Sequence, residues 1–436
     1  MKQVPRTTEG NMDKKTGVLI RAGLEAVVNV YDLAALEAAL QIREQSGGEI
    51  HVYTMGPAKA EEAIRTAFAM GADEGFLITD SAFAGADVLA TSYTLMQAIQ
   101  KEGGYDLILC GKQTTDGDTA QVSGALAKWL DIVHLNWVTE IHTDGSSDLK
   151  VTYLMEGRDI EARTKLPCLL SVEKDSFIPR MPSLKLKISG RKKEIHHLAL
   201  ARFCRSGHIP LWSERIGYTS EADFPACKNE AAGASDHGKR TGSRIYYGHY
   251  RRLGLEGTVM MLRKSLKEEQ NQWTGILVYV ECYKGKVMPV SLELIGEARR
   301  LAAKAGGKVY GVAIGGKPEE IREELKDSFL DEAYLWEASD EYLPIAYERI
   351  MTECINTIRP SVVLIGGTRE GRALAPRIAV EFRTGLTADC TSLEIDDDGN
   401  LMQTRPAFGG NIMAEILTKD RRPQLATVRP GVMPKR

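Results

Sequence analysis

The sequence predicts an α/β protein of two related domains, each built on a mostly parallel sheet with an antiparallel hairpin at its edge. Apolar runs of strand length alternate with helical patterns, which is typical of parallel sheets covered by helices. The order of these segments recurs about 255 to 260 residues later, a spacing that suits repetition of a whole domain. The chain has 436 residues, which is enough for each copy to bury its own core.

The elements follow the same order in both halves. A helical pattern comes first, then a strand preceded by two glycines, an apolar strand that ends at glycine, and a strand that follows a proline. These segments are 33–40, 47–56, 107–111 and 166–172 in the first half, and 295–302, 306–315, 362–366 and 422–428 in the second. The matching order predicts one topology for both halves.

Each half also contains a predicted hairpin. Leu149–Ala162 turns at Gly157, and Leu401–Ile416 turns around Phe408-Gly-Gly410. Glycine at the turn suits the backbone conformation that a tight hairpin needs. We expect each hairpin to lie at the edge of its sheet.

The stretch from Tyr105 to Val122 predicts a site for an anion. Leu107–Cys110 is an apolar strand, Gly111 ends it, and a polar loop leads to a helical pattern that starts at Thr119. Asp118 and Gln121 have the spacing of a capping pair for that helix. Free backbone N–H groups at a helix N-terminus, at the carboxyl end of a parallel strand, suit a phosphate or pyrophosphate. The loop lacks the spacing of a P-loop or a dinucleotide GxGxxG motif, so an ordinary strand-to-helix turn stays an alternative.

Composition excludes several classes of protein. The net charge of -3 gives no electrostatic reason to expect nucleic acid binding. The apolar runs are of strand length, which predicts no membrane insertion, and the N-terminus lacks an apolar signal core, which predicts a cytoplasmic protein. The seven cysteines are scattered without CxxC spacing, so we expect reduced thiols rather than a metal or iron–sulfur site. Residues 201–270 lack helical or strand periodicity and are interpreted as an irregular interdomain linker.

Several longer motifs resemble the electron-transfer flavoprotein family. The front half, residues 1–200, resembles the beta subunit through Lys2-Gln-Val-Pro5, 29–40, Met55-Gly-Pro57, Ala69–Asp73 and 111–122. The back half, residues 271–436, resembles the N-terminal domain of the alpha subunit through 371–377, 384–390, 403–411 and 426–433. The resemblance implies two homologous Rossmann-like, adenine-nucleotide-binding (HUP-like) domains, because the family's beta subunit and alpha N-terminal domain share one fold.

The resemblance implies an adenine nucleotide at the beta-type site. This nucleotide is AMP in simple members of the family and FAD in electron-bifurcating members, whose loop reads Asp-Gly-Asp-Thr-Ala-Gln-Val. The chain carries that loop at Asp116–Val122, which favours FAD, although Ser123-Gly124 replaces the Gly-Pro of bifurcating relatives. The predicted cofactor-binding residues are Asn29, Asp32, Met55, Gly111, Lys112, Gln113, Asp116, Gly117, Asp118, Thr119, Ala120, Gln121, Val122, Arg372 and Arg405.

Roles follow for some of these residues. The amides of Thr119–Val122 are expected to receive the pyrophosphate, and Asp118 to cap the helix or bind a ribose hydroxyl. Asn29 and Asp32 are expected near the adenosine, with Met55 packed along it. Arg372 and Arg405 are expected to face the flavin from the alpha-like half, where a cation stabilises reduced, anionic flavin. For Arg372 and Arg377, surface or interface ion pairing is the alternative. The resemblance also places Leu184 in the loop that recognises partner dehydrogenases.

Two features of the family are expected to be absent from this chain. Beta subunits open with a short apolar strand before Lys-Gln-Val-Pro, and the family's alpha subunit continues into a separate FAD-binding domain, which another polypeptide would have to supply. The implied function is that of an electron carrier rather than a stand-alone enzyme. It would pass electrons between NADH or an acyl-CoA or other dehydrogenase and acceptors such as ferredoxin or flavodoxin, and it would be incomplete alone if it bifurcates electrons. A non-redox, adenine-nucleotide-binding scaffold protein is the alternative.

Overall fold

The computed structural model describes residues 1–6, 25–203, 272–338, 342–407, 410 and 412–434. Almost all of the predicted linker, residues 201–270, therefore lies outside the described residues. So does most of the turn predicted at Phe408-Gly-Gly410.

The described part of the first half alternates strands and helices, as its sequence pattern predicts. In chain order its elements are β1 (Gln3–Pro5), β2 (Ala26–Val28), α1 (Val30–Ser46), β3 (His51–Met55), α2 (Glu61–Met70), β4 (Glu74–Ile78), α3 (Val88–Lys101), β5 (Leu107–Gly111), α4 (Val122–Leu130), β6 (Val133–Thr143), β7 (Asp148–Met155), β8 (Arg158–Lys165), β9 (Cys168–Val172), α5 (Leu184–Gly190) and β10 (His196–Leu198). Helix α1 is rich in alanine and leucine, and its apolar face, including Leu36 and Leu40, is buried.

The second half has the same alternation. Its elements are β11 (Ile276–Val280), β12 (Cys282–Tyr283), β13 (Lys286–Val287), α6 (Pro289–Ala305), β14 (Val309–Ile314), α7 (Pro318–Leu325), β15 (Glu332–Trp336), α8 (Pro344–Ile358), β16 (Val362–Gly366), α9 (Arg369–Glu381), β17 (Leu386–Cys390), β18 (Ser392–Ile395), β19 (Leu401–Ala407), β20 (Ile412–Leu417) and β21 (Gln424–Val428). Helices α6, α7 and α8 begin with proline, which suits the first turn because its missing N–H would have no helical partner there.

The second half forms one continuous parallel sheet in the order β15-β14-β11-β16-β21-β17. The strands of its central pair, β11 and β16, are buried along their whole length. This agrees with the near-continuous apolar sequence expected of a parallel strand covered on both faces.

The first half departs from the predicted single sheet. Strands β1 and β2 form a short antiparallel pair, and the other described strands form two sheets, β10-β4-β3 and β5-β9-β6-β7-β8. The pairs from β10 to β3 and from β5 to β6 are parallel. Strands β3 and β5 are not paired with each other, although their counterparts β14 and β16 are joined through β11.

The hairpin prediction is confirmed in the first half and partly wrong in the second. Strands β7 and β8 are antiparallel, turn at Gly157 with φ 67°, and lie at the sheet edge. Strands β19 and β20 are also antiparallel, but they join β18 in a separate three-stranded sheet. The reason is that β18 pairs with β19 directly, whereas β17 remains in the parallel sheet beside β21.

The two halves pack on a shared apolar core. That core includes Leu170 and Val172 of β9 together with Leu374 and Ile378 of α9. Helix α4 crosses α9 at Gly124, where an added Cβ would lie 3.4 Å from the Cβ of Pro376. Within the described residues, no helix is long and apolar enough to cross a membrane.

Candidate functional site

The strand-to-helix connection differs sharply between the two halves. In the first half, β5 ends at Gly111 and α4 begins at Val122, so residues 112–121 form a loop. In the second half, only residues 367–368 separate β16 from α9. The first copy therefore has a polar loop at the carboxyl edge of its sheet, where α/β proteins bind ligands, and the second has a tight turn.

The helix at this loop begins later than predicted. It starts at Val122 rather than Thr119, and its N-cap residue Gln121 makes no side-chain capping hydrogen bond. Asp118 and Ala120 have positive φ of 54°, which is incompatible with a right-handed helix. The predicted Asp118–Gln121 capping pair is therefore wrong, and Asp118 instead accepts a hydrogen bond from the side-chain amide of Gln113.

The delayed helix start leaves a run of free donors. Among the described residues, the backbone N–H groups of Thr119–Val122 donate no hydrogen bond. The side-chain oxygen Oε1 of Gln121, a residue that is only 3% exposed, also has no partner, while its Nε2 donates to the carbonyl of Leu386 at 3.2 Å. Unsatisfied donors and acceptors in a half-buried loop are costly unless a ligand or water pairs with them.

Asn29, just before α1, and Lys2, in the N-terminal segment, hold the loop in place. The side-chain amide of Asn29, which is fully buried, donates to the carbonyl of Gln113 at 2.8 Å, and its oxygen accepts from the N–H of Thr115 at 3.4 Å. Lys2 donates through Nζ to both carboxylate oxygens of Asp116 at 2.8 Å. These contacts fix the loop from two sides, so Asn29 is a loop-positioning residue in this structure.

Gly111 allows α1 to approach the end of β5. A Cβ at this position would lie 2.6 Å from Oδ1 of Asp32 and 2.6 Å from the carbonyl carbon of Tyr31, closer than real Cβ contacts come. The other carboxylate oxygen of Asp32 accepts from the backbone N–H of Lys2 at 2.6 Å. Asp32 therefore links β5, α1 and the N-terminal segment at one corner of the site.

Three arginines of the second half gather beside this loop. Arg405 of β19 donates through its guanidinium to the carbonyl of Gly117 at 2.9 Å. Arg372 and Arg429 both pair with the buried carboxylate of Asp389, at 2.9 Å and 2.5 Å. Arg405 acts electrostatically on Asp389 as well, so one carboxylate serves three guanidinium groups and the cluster keeps net positive charge.

The pKa shifts follow from this arrangement. Burial lowers the pKa of Arg405, and the nearby carboxylates of Asp389 and Asp118 oppose that effect only in part. Burial alone would raise the pKa of Asp389, but the hydrogen bond from Arg429 and the charge of Arg372 outweigh it and hold the pKa below its ordinary value. Asp389 is therefore ionised at neutral pH and anchors the cluster.

The structure does not bring every predicted residue to this cluster. Lys112 donates to Glu173 at 2.8 Å and its Nζ lies 4.3 Å from the ring centre of Trp137, so its charge is already compensated. Met55 ends β3 and packs against the apolar cluster around Phe76 and Phe83. Leu184 is the first residue of α5 and is 73% exposed; the exposed apolar residues Ile178, Met181 and Ile188 are close to it in the chain.

Sequence reasoning gave no role to Lys2, Asp389 or Arg429. Arg429 directly follows β21, which pairs in parallel with β16, so the rule that parallel strands present their carboxyl ends at one edge was a usable signal. Lys2 and Asp389 gave no such signal, because their partners are distant in the chain. Among the described residues, no group of three His, Cys, Asp or Glu side chains has a metal-binding arrangement.

The site is a loop with free backbone N–H groups at the carboxyl edge of a parallel sheet, and arginines lie beside it. This arrangement is typical of α/β proteins that bind phosphate-bearing ligands. The family model of the electron transfer flavoprotein domain matches residues 16–202 and 276–436. The chain therefore belongs to the electron transfer flavoprotein family, and it combines a beta-like with an alpha-like half.

Individual relatives agree with this assignment. The electron transfer flavoprotein subunit beta of Thermoanaerobacterium thermosaccharolyticum is 45% identical over 185 residues, which are 42% of this chain and 70% of that protein. The alpha subunit of the same organism is 46% identical over 165 residues, 37% of this chain and 50% of that protein. Lactate dehydrogenase (NAD(+),ferredoxin) subunit LctC of Acetobacterium woodii is 42% identical over 180 residues, 40% of this chain and 43% of that protein. The chain thus spans half or less of the alpha subunit and LctC.

Proposed function

We propose that this chain is a cytoplasmic electron-transfer component that holds one adenine-nucleotide cofactor, FAD, between its two halves. Residues 1–200 supply the beta-type nucleotide loop, and residues 271–436 supply the facing arginines. The observation that carries the proposal is the run of free N–H groups at Thr119–Val122, with Arg405 bonded to the same loop at Gly117.

The described residues fit a pyrophosphate-bearing ligand. Four consecutive backbone donors at the N-terminus of α4 match the acceptor-rich, anionic chemistry of a pyrophosphate. The acidic side chains of the loop face cations, because Asp116 is paired with Lys2 and the charge of Asp118 acts on Arg405 and Arg429. Gln121 Oε1 offers a buried acceptor for a ligand hydroxyl or amine.

The arginine cluster favours FAD over AMP. Arg372, Arg405 and Arg429 lie on the second half, across the loop from α1, and together exceed the charge of Asp389. A surplus cation beside a flavin stabilises its reduced, anionic form, whereas AMP would leave that surplus unused. Bound FAD would supply reversible electron uptake; the protein's residues bind it, orient it and set the charge around it.

We extend the function of relatives to partners of this chain. The name of LctC describes it as a subunit of a lactate dehydrogenase that uses NAD(+) and ferredoxin. We propose that this chain likewise exchanges electrons with an acyl-CoA or other dehydrogenase, with NADH and with ferredoxin or flavodoxin, as a bifurcating-type component. The exposed apolar residues around Leu184 provide a docking surface for the dehydrogenase.

Reconstitution with FAD tests the cofactor. The purified full chain is incubated with FAD or with AMP, freed of unbound ligand and examined by visible spectroscopy and equilibrium dialysis. We expect a yellow protein with about one FAD per chain. We expect Arg405→Met to weaken FAD binding by on the order of tenfold, because it removes a charge-assisted contact.

Arg349→Met is the matched control, since Arg349 is exposed on α8. It is expected to leave binding unchanged. A colourless protein that binds AMP but not FAD would support the non-redox scaffold alternative. Binding of neither nucleotide would overturn the proposed site.

A further inference from the structure

A small cavity lies where the two halves meet, and none of its lining residues belongs to the nucleotide loop. The end of β7, the hairpin turn and β8 of the first half form one wall. The segment after β11, the residues around the start of α8 and the first turn of α9 form the others. The cavity has a volume of about 30 Å³. That volume gives room for one or two particles of the size of a water molecule.

Two buried carboxyls line this cavity. Glu281 and Glu370 are 4% and 9% exposed. One oxygen of Glu281 accepts a hydrogen bond from the hydroxyl of Thr368 at 2.7 Å, and one oxygen of Glu370 accepts from the hydroxyl of Tyr279. Among the described residues, the second oxygen of each carboxyl accepts no hydrogen bond. Each carboxyl therefore has an oxygen free for a further partner.

Tyr342 provides a third unpaired oxygen and lines the same cavity. The residue is 7% exposed, and its hydroxyl has no hydrogen-bond partner within the part of the chain that the structure describes. The charge of Glu370 is the largest one that acts on this hydroxyl, so the hydroxyl lies near that carboxyl. A buried hydroxyl without a partner is costly, which indicates that the cavity has an occupant that pairs with it.

The charges around the cavity leave one carboxyl without a positive partner. Glu156 accepts a hydrogen bond from the backbone N–H of Arg369 at 2.6 Å, and the charge of Arg158 acts on Glu370. For Glu281, in contrast, the described charge that acts on it is that of Glu156, which is also negative. Because an ionised carboxyl that is buried without a counter-ion is strongly unfavourable, one further positive charge would stabilise this arrangement.

A monovalent cation suits this cavity better than a divalent ion. Oxygen atoms are the ligands that hard cations take, and three unpaired oxygens belong to residues that line the cavity. A divalent ion calls for more anionic ligands. The described ranges contain no metal-binding group of three His, Cys, Asp or Glu side chains.

We propose that this cavity binds one monovalent cation of about the size of a water molecule, such as potassium or ammonium. The free oxygens of Glu281 and Glu370 and the hydroxyl oxygen of Tyr342 are its ligands. Since the β7–β8 hairpin forms one wall, the bound cation strengthens the contact between the halves. This site goes beyond the proposed electron-transfer function and does not depend on nucleotide binding.

Thermal unfolding of the full chain tests the proposal. The Tm is measured at pH 8 in equal concentrations of choline chloride, potassium chloride and ammonium chloride. Choline gives the same ionic strength but is too large for the cavity. We expect potassium or ammonium to raise the Tm by about 2–4 °C over choline, because a ligand that binds only the folded chain stabilises it. Equal Tm values in the three salts would overturn the proposal.

Variants assign the effect to the cavity. Glu370→Gln removes one negative charge and is expected to abolish the gain in Tm that potassium or ammonium gives. Tyr342→Phe keeps the ring and removes one ligand oxygen, so a higher salt concentration should be needed for half of the gain. Glu161→Gln on β8 is the control, because Glu161 is exposed and pairs with Lys150, and it should keep the full gain. A full gain in Glu370→Gln would overturn the site.

Rubidium gives a readout that needs no variant, because it replaces potassium and scatters X-rays anomalously. Crystals of the full chain are soaked in rubidium chloride. We expect an anomalous peak between Glu281, Glu370 and Tyr342. Electron density at that place without an anomalous signal would identify an ordered water molecule instead and would overturn the proposal.

Discussion

Glu281 and Glu370 form a buried acidic pair in the second half. The pair lies at the place that corresponds to the candidate site of the first half. Glu281 directly follows β11 and accepts a hydrogen bond from the hydroxyl of Thr368 at 2.7 Å. Glu370 lies in the first turn of α9 and accepts from the hydroxyl of Tyr279. Two carboxyls at this place offer no positive charge to an anionic ligand, so the side chains favour one nucleotide site per chain, in the first half.

Burial raises the pKa of both carboxyls, and the charge of Glu281 raises the pKa of Glu370 further. For Glu281 the Thr368 hydrogen bond opposes the shift and the charge of Glu156 adds to it. For Glu370 the charge of Glu281 follows burial in importance, with Tyr279 and Arg158 opposing. Both carboxyls are therefore protonated in the folded chain at pH values where the unfolded chain has lost those protons.

Glu370→Gln is expected to stabilise the protein at alkaline pH. A carboxyl with a raised folded pKa binds its proton more tightly in the folded state, so stability is lost as pH rises above its ordinary value of 4.5 toward the folded value. Glutamine keeps an acceptor for Tyr279 without the charge. We expect a gain of at least about 1 kcal/mol at pH 8 and little change at pH 4.5, measured by urea unfolding across that range.

Glu161→Gln is the control for this pH dependence. Glu161 is exposed on β8, and its hydrogen bond with Lys150 lowers its pKa, so its replacement should not stabilise the protein at pH 8. A Glu370→Gln variant whose stability parallels that of the parent at every pH would contradict the assigned shift.

At the scale of elements, the crossing of α4 and α9 joins the halves directly behind the candidate loop. Gly124 lies in the first turn of α4, and a Cβ there would be 3.4 Å from Pro376 Cβ, 3.5 Å from the Ala373 carbonyl and 3.5 Å from His134 Cε1. These distances admit a methyl group but no larger side chain. The helices approach this closely because glycine leaves room at the crossing.

The effect of a substitution at Gly124 on stability should therefore depend on the size of the new side chain. Gly124→Ala is expected to be neutral or to stabilise by up to about 1 kcal/mol, because alanine is the better helix former and fits. Gly124→Ile is expected to destabilise by about 1–3 kcal/mol through overpacking. Chemical unfolding measures both, and isoleucine tolerated as well as alanine would show that the two helices are not in close contact.

At the scale of the whole molecule, a buried ion network ties the halves together. Arg377 of α9 is only 1% exposed, donates to Glu348 of α8 at 2.6 Å and reaches the carbonyl of Ile132 in the first half at 3.5 Å. Lys128 of α4 pairs with Glu348 and, at 2.7 Å, with Glu381. Glu348 therefore holds one cation from each half.

Glu348→Gln should loosen both halves together. Removing its charge leaves Arg377 buried without its counter-ion, which costs about 3–5 kcal/mol for a buried pair. We expect faster hydrogen exchange in α4 as well as in α8. Glu332→Gln, which breaks the exposed Lys308–Glu332 pair on β15, is the control and should have little effect. Faster exchange confined to α8 would contradict a coupling between the halves.

Local sequence patterns predicted most of the helices and strands. The reason is that burial of one face gives each kind of element its own spacing of apolar residues. The alternation of apolar strands and amphipathic helices gave the two copies, the parallel strands and the hairpin that turns at Gly157. The start of α4 was mistaken because Asp118 and Gln121 have capping spacing, whereas the backbone of Asp118 and Ala120 is left-handed and Asp118 pairs with Gln113. A spacing rule cannot report such contacts.

The sequence by itself determined the class of fold, the internal repeat and the polar loop between β5 and α4, because each depends on residues that are close in the chain. The tertiary structure alone decided which groups meet at that loop. Lys2, Arg405, Arg429 and Asp389 converge there from separate parts of the chain. Long-range charge pairing and strand order depend on packing, so they have no local signature in the chain.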